Sequence, residues 1–391
     1  MQSLGKMNIG FFVETHQPGV GLFHIIDQIA RHLVSSANVI VVTSTLKDKK
    51  IVDDYPYSVV RHHILKVPWL NIELPLSFLD FKFNRLLHDL KLDVVHIHSG
   101  HIIGQMGIQH AKKHQIPLIG SIHGFVDFNT WNPLTEETYT EKDIKEIKNT
   151  YQFCQLVFSD QGSNENVLDL GQRQIKPVIL PFGTNFVFVD NDHSIQELRQ
   201  KHNIKTDESI VLSIHTSPEP SNIVWIADAL FKLRLRGYKF RWIILDASND
   251  DQVLMTRLKK NGLMPYVLLV NSDHSDLIYK EYIKMSDLVL HASLSDPFST
   301  AIINAASQKK PVLCIEETKI ASQIIDGTNG FFAKPTPTDY AEKIIELLKY
   351  PKVLKKVGDK AYRDFYRSWK DVASFYMQAY HQVKQPLEQT T

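Results

Sequence analysis

Asp296 and Asn304 stand eight positions apart, with Pro297-Phe298-Ser299-Thr300-Ala301-Ile302-Ile303 between them. An apolar run, Leu288-Val289-Leu290, precedes this stretch and Val312-Leu313-Cys314-Ile315 follows it, which reads as strand, loop, helix, strand. A helix that begins in small residues such as Ser299 and Thr300 presents free N–H groups and its positive dipole end, a setting that suits a phosphate or diphosphate. Asp296 can accept a hydrogen bond from a hydroxyl, and Asn304 can meet one through its amide. Just beyond the same helix, Lys309 and Lys310 are candidate cations. His123 follows an apolar run and precedes Gly124, at the expected exit of a strand. Gly19 and Gly21 follow Glu14-Thr15-His16-Gln17-Pro18; they read either as a loop whose backbone approaches a phosphate or as an ordinary turn. His96, His98 and His101 invite a metal reading, but no fourth ligand is suitably spaced, so no metal site is expected. Asp190-Asn191-Asp192 falls in a polar stretch and reads as a solvated turn.

Such residues need a frame. Short apolar strands alternate with amphipathic helices throughout: Ile9–Val13, a helix over Leu22–Leu33, then Val39–Val42, Asp93–His98, Pro117–Ile122, Leu156–Phe158 and Pro177–Leu180. The pattern restarts at Ile210–Ile214, with a helix over Asn222–Leu235 and strands at Phe240–Leu245, Val267–Val270, Leu288–Leu290 and Val312–Ile315. It implies an α/β fold of parallel sheets covered by helices on both faces. The expected organisation is a first domain over residues 1–189, a second over 190–360, an aromatic helix over 361–383 that docks on something, and a frayed tail, 384–391. Two doubly wound domains facing each other would place a ligand between their strand C-terminal edges.

Composition narrows the class. The chain has 391 residues, 43% hydrophobic and 22% charged, with formal net charge +1, which fits a globular protein and argues against bulk binding to nucleic acid. Two cysteines, Cys154 and Cys314, in apolar surroundings fit a reducing cytosol better than a disulfide scaffold. No apolar run approaches the ~20 residues that span a bilayer, and the N-terminus lacks a signal peptide's apolar core. The apolar stretch Pro68–Phe83, with Lys82, Arg85 and Lys91 nearby, reads as a core helix, a partner surface or a segment lying on a membrane.

The strand order, together with His96-Ile97-His98, Ser121-Ile122-His123-Gly124 and the loop at 296–304, resembles the family-4 retaining glycosyltransferases over roughly residues 7–383. Lys91–His98 and Ile179–Asn185 resemble in particular the bacterial enzymes that glucosylate diacylglycerol. The resemblance implies the GT-B fold: two facing Rossmann-like domains, acceptor domain first and donor domain second, with a C-terminal helix crossing back to the first. It implies a hexosyltransferase using a nucleotide sugar, expected to be a UDP-sugar, with a lipid or surface-glycan acceptor and neither metal nor other cofactor. His123 and Asp296 then become the catalytic pair, His123 lying near the anomeric carbon. Gly19, Gly21, His215, Ser299, Thr300, Asn304, Lys309 and Lys310 become donor ligands, and Phe128 and Trp131, within the acid-rich 125–146, the acceptor side.

The chain departs from the family's pattern at the donor. Ile214-His215-Thr216-Ser217-Pro218-Glu219-Pro220 places His215 where an Arg is expected and Pro220 where a Lys is expected. Asp246 and Ser248 replace glycines of a turn, Asp296 and Asn304 replace two glutamates, and Ser299 replaces a glycine. Losing one preorganised donor to a developing oxyanion costs about 10²–10³ in rate. A protonated His215, or Lys309 and Lys310, would restore part of that charge. Two readings stay open: an active cytoplasmic transferase, either free or in peripheral contact with the inner face of the cell membrane, and an impaired subunit that steadies a partner glycosyltransferase or holds a glycan.

Overall fold

Ile9, Phe11, Phe12 and Val13 are almost wholly buried on the strand Met7–Thr15 (β1), the two-faced burial that a central strand of a helix-covered sheet requires. The protein is described by a computed structural model covering residues 5–17, 22–46, 54–67, 72–75, 81–123, 131–132, 137–138, 145, 149–159, 168–169, 174–180, 182–215, 220–247, 251–271, 276–292, 300–316, 318 and 321–384. The chain forms two units, one of Met1–Pro181 with Trp369–Thr391 and the other of Phe182–Ser368.

In the first unit the strands are β1, Ala37–Leu46 (β2), Ser58–Val67 (β3), Ile72–Pro75 (β4), Val94–Ile97 (β5), Leu118–Ile122 (β6), Leu156–Ser159 (β7) and Val178–Ile179 (β8). They form one eight-stranded sheet in the order β8-β7-β6-β5-β1-β2-β3-β4. Every pairing is parallel except that of β4, which runs antiparallel to β3. Helices Phe23–Leu33 (α1), Phe81–Asp89 (α2) and Ile102–His114 (α3) connect them. Thus Ile72–Pro75, inside the stretch read as a helix or membrane segment, is an edge strand; residues 68–71 and 76–80 lie outside the described residues.

In the second unit Ser209–Ile214 (β9), Phe240–Leu245 (β10), Val267–Val270 (β11), Leu288–Leu290 (β12), Val312–Ile315 (β13) and Phe331–Ala333 (β14) form a six-stranded sheet ordered β11-β10-β9-β12-β13-β14, with every pairing parallel. Strand alternation feeds two cores: Val211 packs into one, Ile210 and Leu212 into the other. The helices are Asp192–Lys201 (α4), Pro220–Leu235 (α5), Gln252–Lys260 (α6), Asp276–Met285 (α7), Thr300–Ser307 (α8), Pro337–Leu348 (α9) and Pro351–Phe365 (α10). Asn191 caps α4, its side chain accepting from the N–H groups of His193 and Ser194, so the Asp190-Asn191-Asp192 stretch is a helix start rather than a free turn.

Two boundaries differ from the sequence reading. The first unit ends at Pro181 rather than 189, because residues 182–189 are stitched into the second: the Gln308 side chain accepts from the Val189 N–H at 3.0 Å and donates to the Val187 carbonyl at 3.0 Å. The aromatic helix expected over 361–383 is two helices. Tyr366 is extended (ψ 124) and ends α10, and a new helix, Trp369–Lys384 (α11), belongs to the first unit. There it buries Trp369, Tyr376 and Tyr380, and Lys384 Nζ lies 2.6 Å from Asp93 Oδ1.

Candidate active site

In the first sheet the strand order reverses direction between β1 and β5, the switch point at whose carboxyl ends doubly wound sheets bind their ligands. Glu14 and His16 come from β1, His98 from the end of β5, and His123 from the end of β6. Glu14 Oε1 accepts from the Ile103 N–H (2.8 Å) and from Ser99 Oγ (3.1 Å), so its carboxylate satisfies the start of α3. His98 and His123 meet through Nδ1 and Nε2 at 3.0 Å. Behind them His96 joins α11 to the sheet, its Nδ1 2.7 Å from the Tyr380 hydroxyl and its Nε2 2.8 Å from Ser121 Oγ. Burial holds both His96 and His98 well below the usual histidine range, and for His98 the neighbouring His96, His123 and His16 add to the effect, so both rings are neutral.

The backbone leaving β1 is fixed before it reaches Gly19 and Gly21. Arg61 Nη2 donates to the His16 carbonyl at 2.9 Å. The Tyr57 hydroxyl donates to Asp27 Oδ1 at 2.6 Å and receives His16 Nε2 at 2.9 Å. Arg31 Nε spans both Asp27 oxygens at 2.8 Å. Burial, then the hydrogen bond to Asp27, pushes the Tyr57 phenol far up, so it stays a donor.

In the second sheet the reversal lies between β9 and β12. His215 leaves β9, and its Nε2 sits 3.7 Å from Asp251 Oδ2. Asp251 caps α6, accepting from the Leu254 N–H at 2.9 Å. Asp246 follows β10 with φ +63, a left-handed conformation that Asp tolerates better than most residues, and the Tyr279 hydroxyl donates to its carboxylate. A glycine would meet this backbone demand as well, but Asp246 adds a carboxylate there. Thr300, exposed, opens α8, and Asn304 lies one turn further on. Asn304 Oδ1 receives the Thr184 hydroxyl at 2.7 Å, while Thr184 Oγ1 accepts from the Phe186 N–H at 3.0 Å, so the Asn304 amide presents its N–H₂ outward from that bond.

Lys309 and Lys310 lie away from the N-terminus of α8. Both follow its last turn, while the dipole's positive end lies at Thr300. Lys309 Nζ is held over the Phe188 ring (4.5 Å to the centroid) and 3.9 Å from Asp359. Burial lowers Lys310 to about 8, against the pull of Asp287. Gly19, Gly21, Phe128, Ser248, Asp296 and Ser299 lie outside the described residues, and Trp131 begins a two-residue strand paired with Glu137–Thr138. Motif reading weighed His98 only as a metal ligand and passed over Glu14, Asp251, Tyr279 and Thr184, which hydrogen-bond within the candidate site. The usable signal was position: His98 and Glu14 each stand at the carboxyl end of an apolar run. Among the described residues, no cluster of three or more His, Cys, Asp or Glu is arranged to hold a metal ion.

Residues 21–158 match the family model described as Glycosyltransferase Family 4, and residues 194–364 match that of Glycosyl transferases group 1, so that together they take in most of the chain. An alpha-monoglucosyldiacylglycerol synthase of Acholeplasma laidlawii is 21% identical over 91% of this chain and 92% of its own length. A solved glycosyltransferase structure from Rickettsia africae ESF-5 superposes with a TM-score of 0.74 at 16% identity, covering 97% of this chain and 99% of that one. Anabaena Alr3699/HepE, solved in complex with UDP and glucose, gives 0.68 at 17% identity over 96% of this chain and 100% of that one. These likenesses in structure are likenesses of fold.

Proposed function

Because the chain belongs to the family-4 glycosyltransferases of the GT-B fold, we propose that it transfers a hexose from a UDP-sugar to a lipid or surface-glycan acceptor, with retention and without a metal. The single observation that carries the reading is His123, at the carboxyl end of β6 and hydrogen-bonded to the buried His98. His123 meets the donor sugar near its anomeric carbon, and Asp296 is its companion. The second unit holds the nucleotide: Ser299, the first amides of α8 from Thr300 and the His215 side chain serve the diphosphate, and the Asn304 amide donates to a hydroxyl. Gly19 and Gly21 complete the set of donor ligands, and Phe128 and Trp131 contribute to the acceptor side. A glucolipid-forming relative matched along nearly its whole length supports the lipid acceptor, and a relative crystallised with UDP and glucose supports the donor. No helix of the described residues is long and apolar enough to cross a membrane. Cys154 and Cys314, both buried and in no disulfide, fit a reducing cytoplasm.

Incubation of the full chain with radiolabelled UDP-hexoses and total cell lipids tests the proposal. Label appearing in lipid, or released as free sugar, supports it; neither transfer nor hydrolysis with any donor sinks it. A second reading, an impaired subunit that steadies a partner glycosyltransferase, is favoured by one observation: the Asp251 carboxylate stands 3.7 Å from His215, where a departing diphosphate needs cations. Calorimetry separates the two readings, since micromolar UDP binding counts against a purely supporting role.

A further inference from the structure

Thr184 has one hydroxyl proton and two lone pairs to place, and its surroundings leave one way to place them. Its backbone N–H donates to the Arg367 carbonyl at 2.9 Å and the residue is 6% exposed, so the hydroxyl is held inside the second unit. One lone pair accepts from the Phe186 N–H at 3.0 Å, a local turn of the kind that threonine favours. That bond runs in a single direction, because a backbone N–H can only donate. The other contact of the hydroxyl is the Asn304 amide, at 2.7 Å. With the amide oxygen toward Thr184, the proton has its acceptor and both groups are matched. With the amide nitrogen toward Thr184, the hydroxyl would accept twice, and its own proton would be buried with no acceptor among the described residues. The length agrees: 2.7 Å is the usual span of an O–H···O bond, whereas N–H···O bonds centre near about 2.9–3.0 Å.

We infer that Thr184 is a positioning residue: its proton fixes the Asn304 amide with Oδ1 inward, so that Asn304 offers the sugar nucleotide N–H groups and no acceptor. Asn304 stands one turn into α8, and the Cα–Cβ bonds of a helix tilt toward its N-terminus, so the amide leans toward Thr300 and the positive end of the dipole. Side chain and dipole then act in the same sense, and the ligand atom that meets Asn304 is a bearer of lone pairs, a hydroxyl or phosphoryl oxygen. A carboxylate at this position would take the same proton from Thr184, yet offer an acceptor and a charge instead. Thr184, its hydroxyl spent on Phe186 and Asn304, acts only through Asn304. The orientation of the amide follows from the hydrogen bonds alone; its use in binding rests on the transferase reading.

Two measurements on the full-length protein test it. Side-chain amide protons of ligand-free protein, labelled with nitrogen-15 at asparagine, are followed by NMR, and the Asn304 pair is identified by its loss in Asn304→Asp. Outward N–H groups exchange with water unprotected, whereas an amide turned to donate to Thr184 would keep one proton protected. Calorimetry with UDP and UDP-glucose then reads a double-mutant cycle. Thr184→Val keeps the shape and loses the proton; it is expected to weaken binding about 3- to 10-fold, with Thr184→Ser within about twofold of wild type. In an Asn304→Ala background, Thr184→Val is expected to change affinity by less than about 1.5-fold, although it lowers stability in both backgrounds by orphaning the Phe186 N–H. A protected Asn304 amide, a Thr184→Ser protein as weak as Thr184→Val, or an equal loss in the Asn304→Ala background overturns the inference. If Thr184→Val fails to fold, the exchange of the wild-type amide decides alone. Binding of neither nucleotide by wild type, beside an unprotected Asn304 amide, would discard the transferase reading and leave the orientation standing.

Discussion

Replacing Lys310 by Met should stabilise this protein, and the size of the effect follows from where the ammonium sits. Burial lowers Lys310 from 10.5 to about 8, with Asp287 pulling the other way and Lys284 adding to the fall. A folded-state value below the unfolded one means that protonation is penalised by folding. The penalty is complete below pH 8, shrinks as pH rises, and vanishes above about 10.5. Its full size corresponds to about 3 kcal/mol. Met fills similar volume without charge, but the substitution also removes the attraction to Asp287, whose Oδ2 accepts from the Ile210 N–H at 2.7 Å. A net gain of about 1–3 kcal/mol at pH 7 is therefore expected, falling by about half at pH 9.5. Denaturant unfolding of wild type and Lys310→Met at both pH values measures it, and calorimetry with UDP should show affinity within about twofold, because Lys310 lies past the wrong end of α8. No gain at pH 7, a gain independent of pH, or lost UDP binding would refute the placement of this ammonium.

Other expectations follow from the same contacts. His215→Arg adds a permanent cation beside Asp251 and should tighten UDP binding by about tenfold, while His215→Ala weakens it, both read by calorimetry. Gly104→Ala would put a Cβ 1.9 Å from the Ser99 carbonyl oxygen, forcing α3 away from the loop after β5; a loss of about 1–3 kcal/mol is expected in denaturant unfolding. Tyr380→Phe strips His96 Nδ1 of its partner and should cost about 1–3 kcal/mol in the same assay, with little change in UDP affinity.

The strands that sequence disclosed are those buried on both faces, since Ile9–Val13 or Val312–Ile315 offers an unbroken apolar run. Ser58–Val67 escaped because Arg61, His62, His63 and Lys66 interrupt its apolar residues, and Phe331–Ala333 because three residues carry no period. The break at Tyr366 was invisible for a different reason: aromatic spacing continues through it, and only the backbone turns extended. Site histidines could be found by their place at strand exits. Their partners could not, because Thr184 reaches Asn304 across 120 residues and His98 reaches His123 across 25, with no local pattern linking them. The donor-side residues came from the resemblance to relatives, which also offered Lys309 and Lys310; the length and direction of α8 set both past its last turn, away from Thr300.

The bond between His96 and Tyr380 joins positions 284 residues apart, with the whole of the second unit encoded between them. During synthesis the second unit can collapse as soon as residue 368 clears the ribosome, whereas the first must wait with an uncovered face until Trp369, Tyr376 and Tyr380 arrive. The half of the molecule translated earliest is thus the last to be completed. A nascent chain stalled just short of residue 369 would expose that unfinished surface to chaperones and proteases, although all but one strap of its sheet had already been made.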